Sequence, residues 1–170
     1  MKKRIAIILS VVFIFTVFTG SVAYAANGNN SSSTTSNGMK TRSQYIEEIK
    51  PLVNEIVANK EQIKSLTREL NTVRQQAQVC IENYKEDIDS VTEEQIQEMQ
   101  RIMSQIKECN TTLKNSNASM EKNRQNLRTM KQNKNYEAIK TAYKNIISIQ
   151  EQRIERIQKL IELNKEILDI

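Results

Sequence analysis

The stretch IKPLVNEIVANKEQIKSLTRELNTVRQQAQVCIENY, residues 49–84, decides the fold. Its apolar or small residues recur at alternating steps of three and four, as Ile49, Leu52, Ile56, Asn59, Ile63, Leu66, Leu70, Val73, Ala77, Cys80 and Tyr84, and only Asn59 interrupts them. A seam of that period and length predicts a long helix lying along other long helices. A second series, Met99, Ile106, Leu113, Met120 and Leu127, has a period of seven, and residues 136–170 return to apolar helical spacing. No Gly follows Gly38 and Pro51 is the only Pro, a composition that permits long helices and discourages tight hairpins.

Stop signals divide the pattern into three helices, expected over residues 42–84, 92–131 and 136–169, within one domain covering 41–170. Thr92-Glu93-Glu94-Gln95 has the form of a capping box, with Val91 and Ile96 at hydrophobic-staple positions and two acids in the first turn. The acidic run 86–89 then reads as the first connection, and Asn133-Lys134-Asn135 as the second. Thr41 to Gln44 repeats the box pattern, but Pro51 in a helix interior costs about 3 kcal/mol, so a kink or a restart is expected there. An Asn and Ser cluster, residues 115–119, is a rival break, opposed by the period-seven series that runs through it.

Folding the second helix back on the first sets Ile49 against Leu127, Ile56 against Met120, Ile63 against Leu113, Leu70 against Ile106 and Ala77 against Met99. A second reversal sets Ile139 against Leu127, Ile146 against Met120, Leu160 against Ile106 and Ile167 against Met99, with Arg153 opposite Leu113 as the misfit. The expected fold is all-α, a long antiparallel three-helix (up-down-up) coiled-coil bundle about 60 Å long at 1.5 Å per residue, with the middle helix serving both neighbours. In this register Asn59 faces Asn117, which reads either as a polar layer fixing register or as a wet, loosely packed stretch.

The first 25 residues carry Lys2, Lys3 and Arg4, an apolar run over 5–18, and Ala23-Tyr24-Ala25, the pattern of a secretory signal peptide cleaved before Ala26. Residues 26–40 begin ANGNNSSSTTSNG and read as a flexible Asn/Ser/Thr linker. The mature chain is therefore expected to be secreted, with no membrane span after cleavage. Of 25 Lys and Arg, three lie in this leader, which leaves 22 against 20 acidic residues. That near-neutral balance, the export route and the absence of Trp weigh against nucleic acid as a partner.

Chemistry is thinly supplied. The sequence has no His, which removes the commonest general base and metal ligand. Asp87, Asp89, Glu93 and Glu94 lack the ligand spacing of a calcium loop, and no phosphate loop or nucleophile motif occurs. Neither an enzyme nor a cofactor is expected. Cys80 and Cys109 lie too far apart along the expected hairpin to bridge, so they read as buried thiols or as a link between protomers in a homo-oligomer.

Charge is unevenly placed. Residues 82–98 hold seven acids and one Lys, whereas residues 114–144 hold eight basic residues and two acids. Ordinary solvated faces would produce that pattern, and so would a docking surface. Arg124, Arg128, Lys131, Lys134 and Lys140 at the second turn are the interaction candidates, suited to an acidic protein or an anionic envelope polymer. Val91-Thr92-Glu93-Glu94-Gln95 also resembles the Leu-Thr-x-x-Gln motif of Spy-type periplasmic chaperones, with Val91 in the Leu position. The match covers five residues, and Thr41 to Gln44, with Lys40 in the Leu position, is the other candidate copy. The resemblance implies a holdase that binds unfolded clients, although those chaperones are curved cradles of shorter helices.

Overall fold

The computed structural model describes residues 42–170; the expected leader, 1–25, and the linker, 26–40, lie outside them. The described residues form three helices and no strand: α1 (Arg42–Glu86), α2 (Glu93–Gln132) and α3 (Tyr136–Leu168), with a short 3-10 turn, Ile88–Ser90, after α1. The protein is all-α.

Local chemistry sets the boundaries. The Thr92 hydroxyl accepts from the Gln95 backbone N–H at 3.2 Å, and Gln95 Oε1 accepts from the Thr92 N–H at 2.9 Å, so α2 begins with a complete capping box. Val91 and Ile96 are both buried beside it. At the far end the Lys134 N–H reaches the Lys131 carbonyl and the Asn135 N–H reaches the Met130 carbonyl, which closes α2 with a Schellman motif. Lys134 holds the left-handed position, φ 53°, that usually falls to Gly. Asn135 then caps α3 by accepting from the Ala138 N–H.

The restart considered at Pro51 does not occur, and neither does the rival break at residues 115–119. α1 runs unbroken through Pro51, which lies on its exposed side, where water can serve the Glu47 carbonyl that loses its donor. α2 runs unbroken through 115–119, where Ser116 Oγ donates to the Leu113 carbonyl at 2.7 Å and accepts from Arg153, and Asn117 Oδ1 also accepts from Arg153.

The helix that closely approaches both others is α3 rather than the middle helix. Its apolar positions come in adjacent doublets, Ile146-Ile147 and Leu160-Ile161 among them, which makes its buried face wide enough to serve two neighbours. Against α1 the contacts are Tyr45 with Tyr136, Glu48 with Lys140, Ile56 with Gln150, Glu69 with Lys165 and Cys80 with Ile167, and the two numbers rise together. Against α2 they are Gln95 with Ile170, Arg101 with Glu166, Asn117 with Arg153 and Lys131 with Tyr143, and one number rises as the other falls.

Packing is uneven. Leu70, Val73, Ala77 and Ile81 of α1, residues from Met99 to Leu113 of α2 and residues from Ile157 to Ile167 of α3 share one continuous core. Among the residues whose burial is described, only Tyr45 is buried in α1 upstream of Leu70, and none in α2 is beyond Met120.

Candidate functional site

The two turns lie at opposite ends of α2, whose 40 residues span about 60 Å at 1.5 Å per residue. Around the turn between α2 and α3 the structure gathers the basic candidates and sorts them. Lys140 Nζ meets Glu48 Oε2 at 2.6 Å in a half-buried pair, so its charge is spent on holding α3 to α1. Lys131 Nζ stands over the Tyr143 ring, 5.5 Å from its centroid, a cation–π contact within the chain. Arg124 lies 3.9 Å from Glu121 of its own helix. Arg128 and Lys134 are exposed. The five candidates thus share one end, but two of them are fastened across helices.

The same end is tied together by aromatic rings. Tyr45 packs on Tyr136 with centroids 4.4 Å apart and planes tilted by 44°. Its hydroxyl is buried without a hydrogen-bond partner. Burial first, and then the neighbouring Tyr143 and Glu137, push that phenol well above its ordinary value, so it stays neutral. Nothing local in the sequence links Tyr45 with a ring 91 positions away, so this cluster leaves no sequence signal.

Midway along the bundle lies a polar layer. Arg153, the misfit of the sequence register, donates to Ser116 Oγ at 3.2 Å and to Asn117 Oδ1. One turn earlier on α3, buried Gln150 donates to the Ile56 carbonyl at 3.1 Å. Asn59 Nδ2 and Gln150 Oε1 are buried without partners. The Asn117 side of the expected Asn59–Asn117 layer is therefore carried by Arg153. A groove of about 190 Å³ opens beside it, lined among others by Ser116, Ser119, Arg153 and Arg156.

The opposite end is acidic and clamped. Arg101 holds Glu98 at 2.6 Å and Glu166 at 2.7 Å, which joins α2 to α3. The hydrogen bond from Arg101 holds the Glu98 carboxyl below its ordinary range. Glu94 is likewise lowered, by its own backbone N–H and then by the Thr92 hydroxyl, as expected of an acid in a first helical turn. Thr92 and Gln95, the residues behind the chaperone resemblance, are both engaged in the cap, and Gln95 Nε2 also donates to the Ile170 carbonyl at 2.7 Å.

Both cysteines are free. Cys80 is half-buried with Sγ 3.7 Å from the Ile167 carbonyl, and Cys109 is buried, which pushes its thiol up and keeps it protonated at neutral pH. Among the described residues no cluster of three His, Cys, Asp or Glu side chains is placed to hold a metal. No helix among them is long and apolar enough to cross a membrane.

Fold and site together define an all-helical bundle with charged ends and a polar middle layer. Compared with known proteins, the chain matches no family model, no curated protein and no solved structure.

Proposed function

We propose that the chain is exported, loses its leader before Ala26, and works without catalysis as an up-down-up three-helix coiled-coil rod that docks through its basic end. The direction of the contacts along α3 supports the topology: α1 runs alongside it and α2 runs against it. The docking reading rests on one observation, the exposed pair Arg128 and Lys134 at a turn whose neighbouring cations, Lys131 and Lys140, are fixed in place by Tyr143 and Glu48. A local positive field of that kind suits an anionic envelope polymer or an acidic protein face. The opposed acidic end would keep the far turn away from the same surface and make the rod a spacer.

Cosedimentation of the mature protein with isolated cell envelope tests this. Binding is expected to fall as salt rises, because exposed charges are screened beyond about 8 Å at physiological ionic strength. It is also expected to fall when Arg124, Arg128 and Lys134 are changed together to Gln. Equal binding by the variant, or binding indifferent to salt, would overturn the reading. Intact mass of the exported protein gives the start of the mature chain, and a retained leader would contradict export by cleavage.

A further inference from the structure

We infer that the outer face of α1 is a self-assembly surface, on which a second copy of the chain lies parallel and displaced by half the helix. The face follows from the helical repeat: at 3.6 residues per turn, Ile46, Lys50, Val53, Val57, Lys60, Lys64 and Arg68 fall within roughly 80° of arc. All are exposed except half-buried Lys60. The same face continues through Gln75 and Gln78 to Val79, Glu82 and Glu86, again exposed. It is therefore apolar and mainly basic in its first half, where Glu61 lies at its edge, neutral in the middle, and apolar and mainly acidic at its end, where Lys85 lies at the other edge.

Four of the five large apolar residues that the described chain leaves exposed lie on this strip: Ile46 at 53%, Val53 at 37%, Val57 at 55% and Val79 at 57%.

The two halves complement each other in register. Val57, Lys60 and Lys64 have the same i, i+3, i+7 spacing as Val79, Glu82 and Glu86, with the charge reversed. Sliding a parallel copy by 22 positions sets Val57 on Val79, Lys60 beside Glu82 and Lys64 beside Glu86. Pairing across copies exchanges ties within the chain: half-buried Lys60 already has one, Lys64 sits 3.6 Å from Glu61, and Glu82 accepts from Gln78 at 3.1 Å, the last two ties being exposed.

The displacement also fits the length. Twenty-two residues rise about 33 Å, half of the roughly 66 Å between the two ends of α1, so the α1 of a third copy begins level with the end of the first. A contact of this kind joins unlike surfaces and does not close, so it builds a half-staggered two-row filament. An antiparallel pairing would instead close as a dimer, matching Lys60 with Glu86 and Lys64 with Glu82, but it leaves Ile46 and Val53 beyond the end of the partner helix. The parallel arrangement covers them.

The inference deepens the interaction reading by naming a second copy as one partner. It relies on that reading only for the helical rod, since its residues are not those of the basic turn. The test is sedimentation of the mature chain at low and high salt. Species larger than a dimer are expected at low salt, dissociating as salt rises. Lys60→Glu with Lys64→Glu makes both halves acidic, and Glu82→Lys with Glu86→Lys makes both basic, so each variant alone should associate more than tenfold more weakly. Their equimolar mixture should assemble again, which a misfolded variant could not do. A parent that stays monomeric, a parent that stops at a dimer, or a mixture that fails to assemble would each overturn the proposal, whatever the envelope binding shows.

Discussion

Asn59 and Asn117 enter the sequence as equivalent polar breaks in two apolar seams, yet their replacements should move stability in opposite directions. Asn59 is half-buried and its Nδ2 has no partner. A buried donor left unpaired costs about 1–3 kcal/mol, so Asn59→Leu removes that penalty and adds some apolar burial. A net gain of about 1–2 kcal/mol is expected. Asn117 Oδ1 accepts from Arg153, whose guanidinium lies half-buried in the same layer. Asn117→Leu takes an acceptor from that charge, with Ser116 among those remaining, and should cost about 1–3 kcal/mol. At roughly 4 °C per kcal/mol for a helical domain of this size, the first variant melts some 4–8 °C higher and the second about 4–12 °C lower. The assay is thermal and urea unfolding followed by helical circular dichroism. If Asn59→Leu destabilises as much as Asn117→Leu, the Asn59 amide has a partner, such as a bound water bridging to Gln150, and the layer is fully satisfied. If neither moves the midpoint, there is no polar layer.

Three further outcomes follow from the turns and the thiols. Lys134→Gly should raise stability by about 0.5–1 kcal/mol by relieving the positive φ, seen as a higher urea midpoint, while weakening envelope binding through loss of the charge. Glu98 has its folded value below the ordinary 4.5, so its contribution is present above that value and is lost as pH falls through the lower folded one; the melting temperature should therefore drop on acidification below about pH 4.5, and drop less in Arg101→Gln. Iodoacetamide should label Cys80 before Cys109 in the native protein and both at similar rates in urea, because burial keeps the Cys109 thiol protonated; peptide mass mapping reads the order.

The helices are legible in the sequence because their signals are local. The box at Thr92 to Gln95 and the Asn133-Lys134-Asn135 stop each span a few residues, and both sit where the chain turns. Pro51 and the 115–119 cluster look like interruptions for the same reason: a local cost says nothing of the exposed side that tolerates Pro51, or of Arg153, which satisfies Ser116 and Asn117. Arg153 itself counts as a misfit until two helices meet. The basic end is visible as a run of charge, but its sorting is not, since Glu48 and Lys140 are 92 positions apart and only packing brings them within 2.6 Å. Why α3 rather than α2 approaches both neighbours depends on the width of an apolar face, which a one-seam heptad reading does not weigh.

The Glu48–Lys140 pair and the Tyr45–Tyr136 contact at the basic end, and the Gln150–Ile56 bond in the middle layer, all require α1 to run alongside α3 in one direction. Spin labels on exposed Glu47 and Thr141, in a chain with Cys80 and Cys109 changed to Ala, measure this by pulsed dipolar spectroscopy. Helix axes 8–10 Å apart with the two sites nearly level predict a single distance of roughly 15–25 Å, labels included. A distribution centred beyond about 35 Å, the value for an α1 running the other way or detached from α3 at 1.5 Å per residue, would contradict the rod and the function built on it.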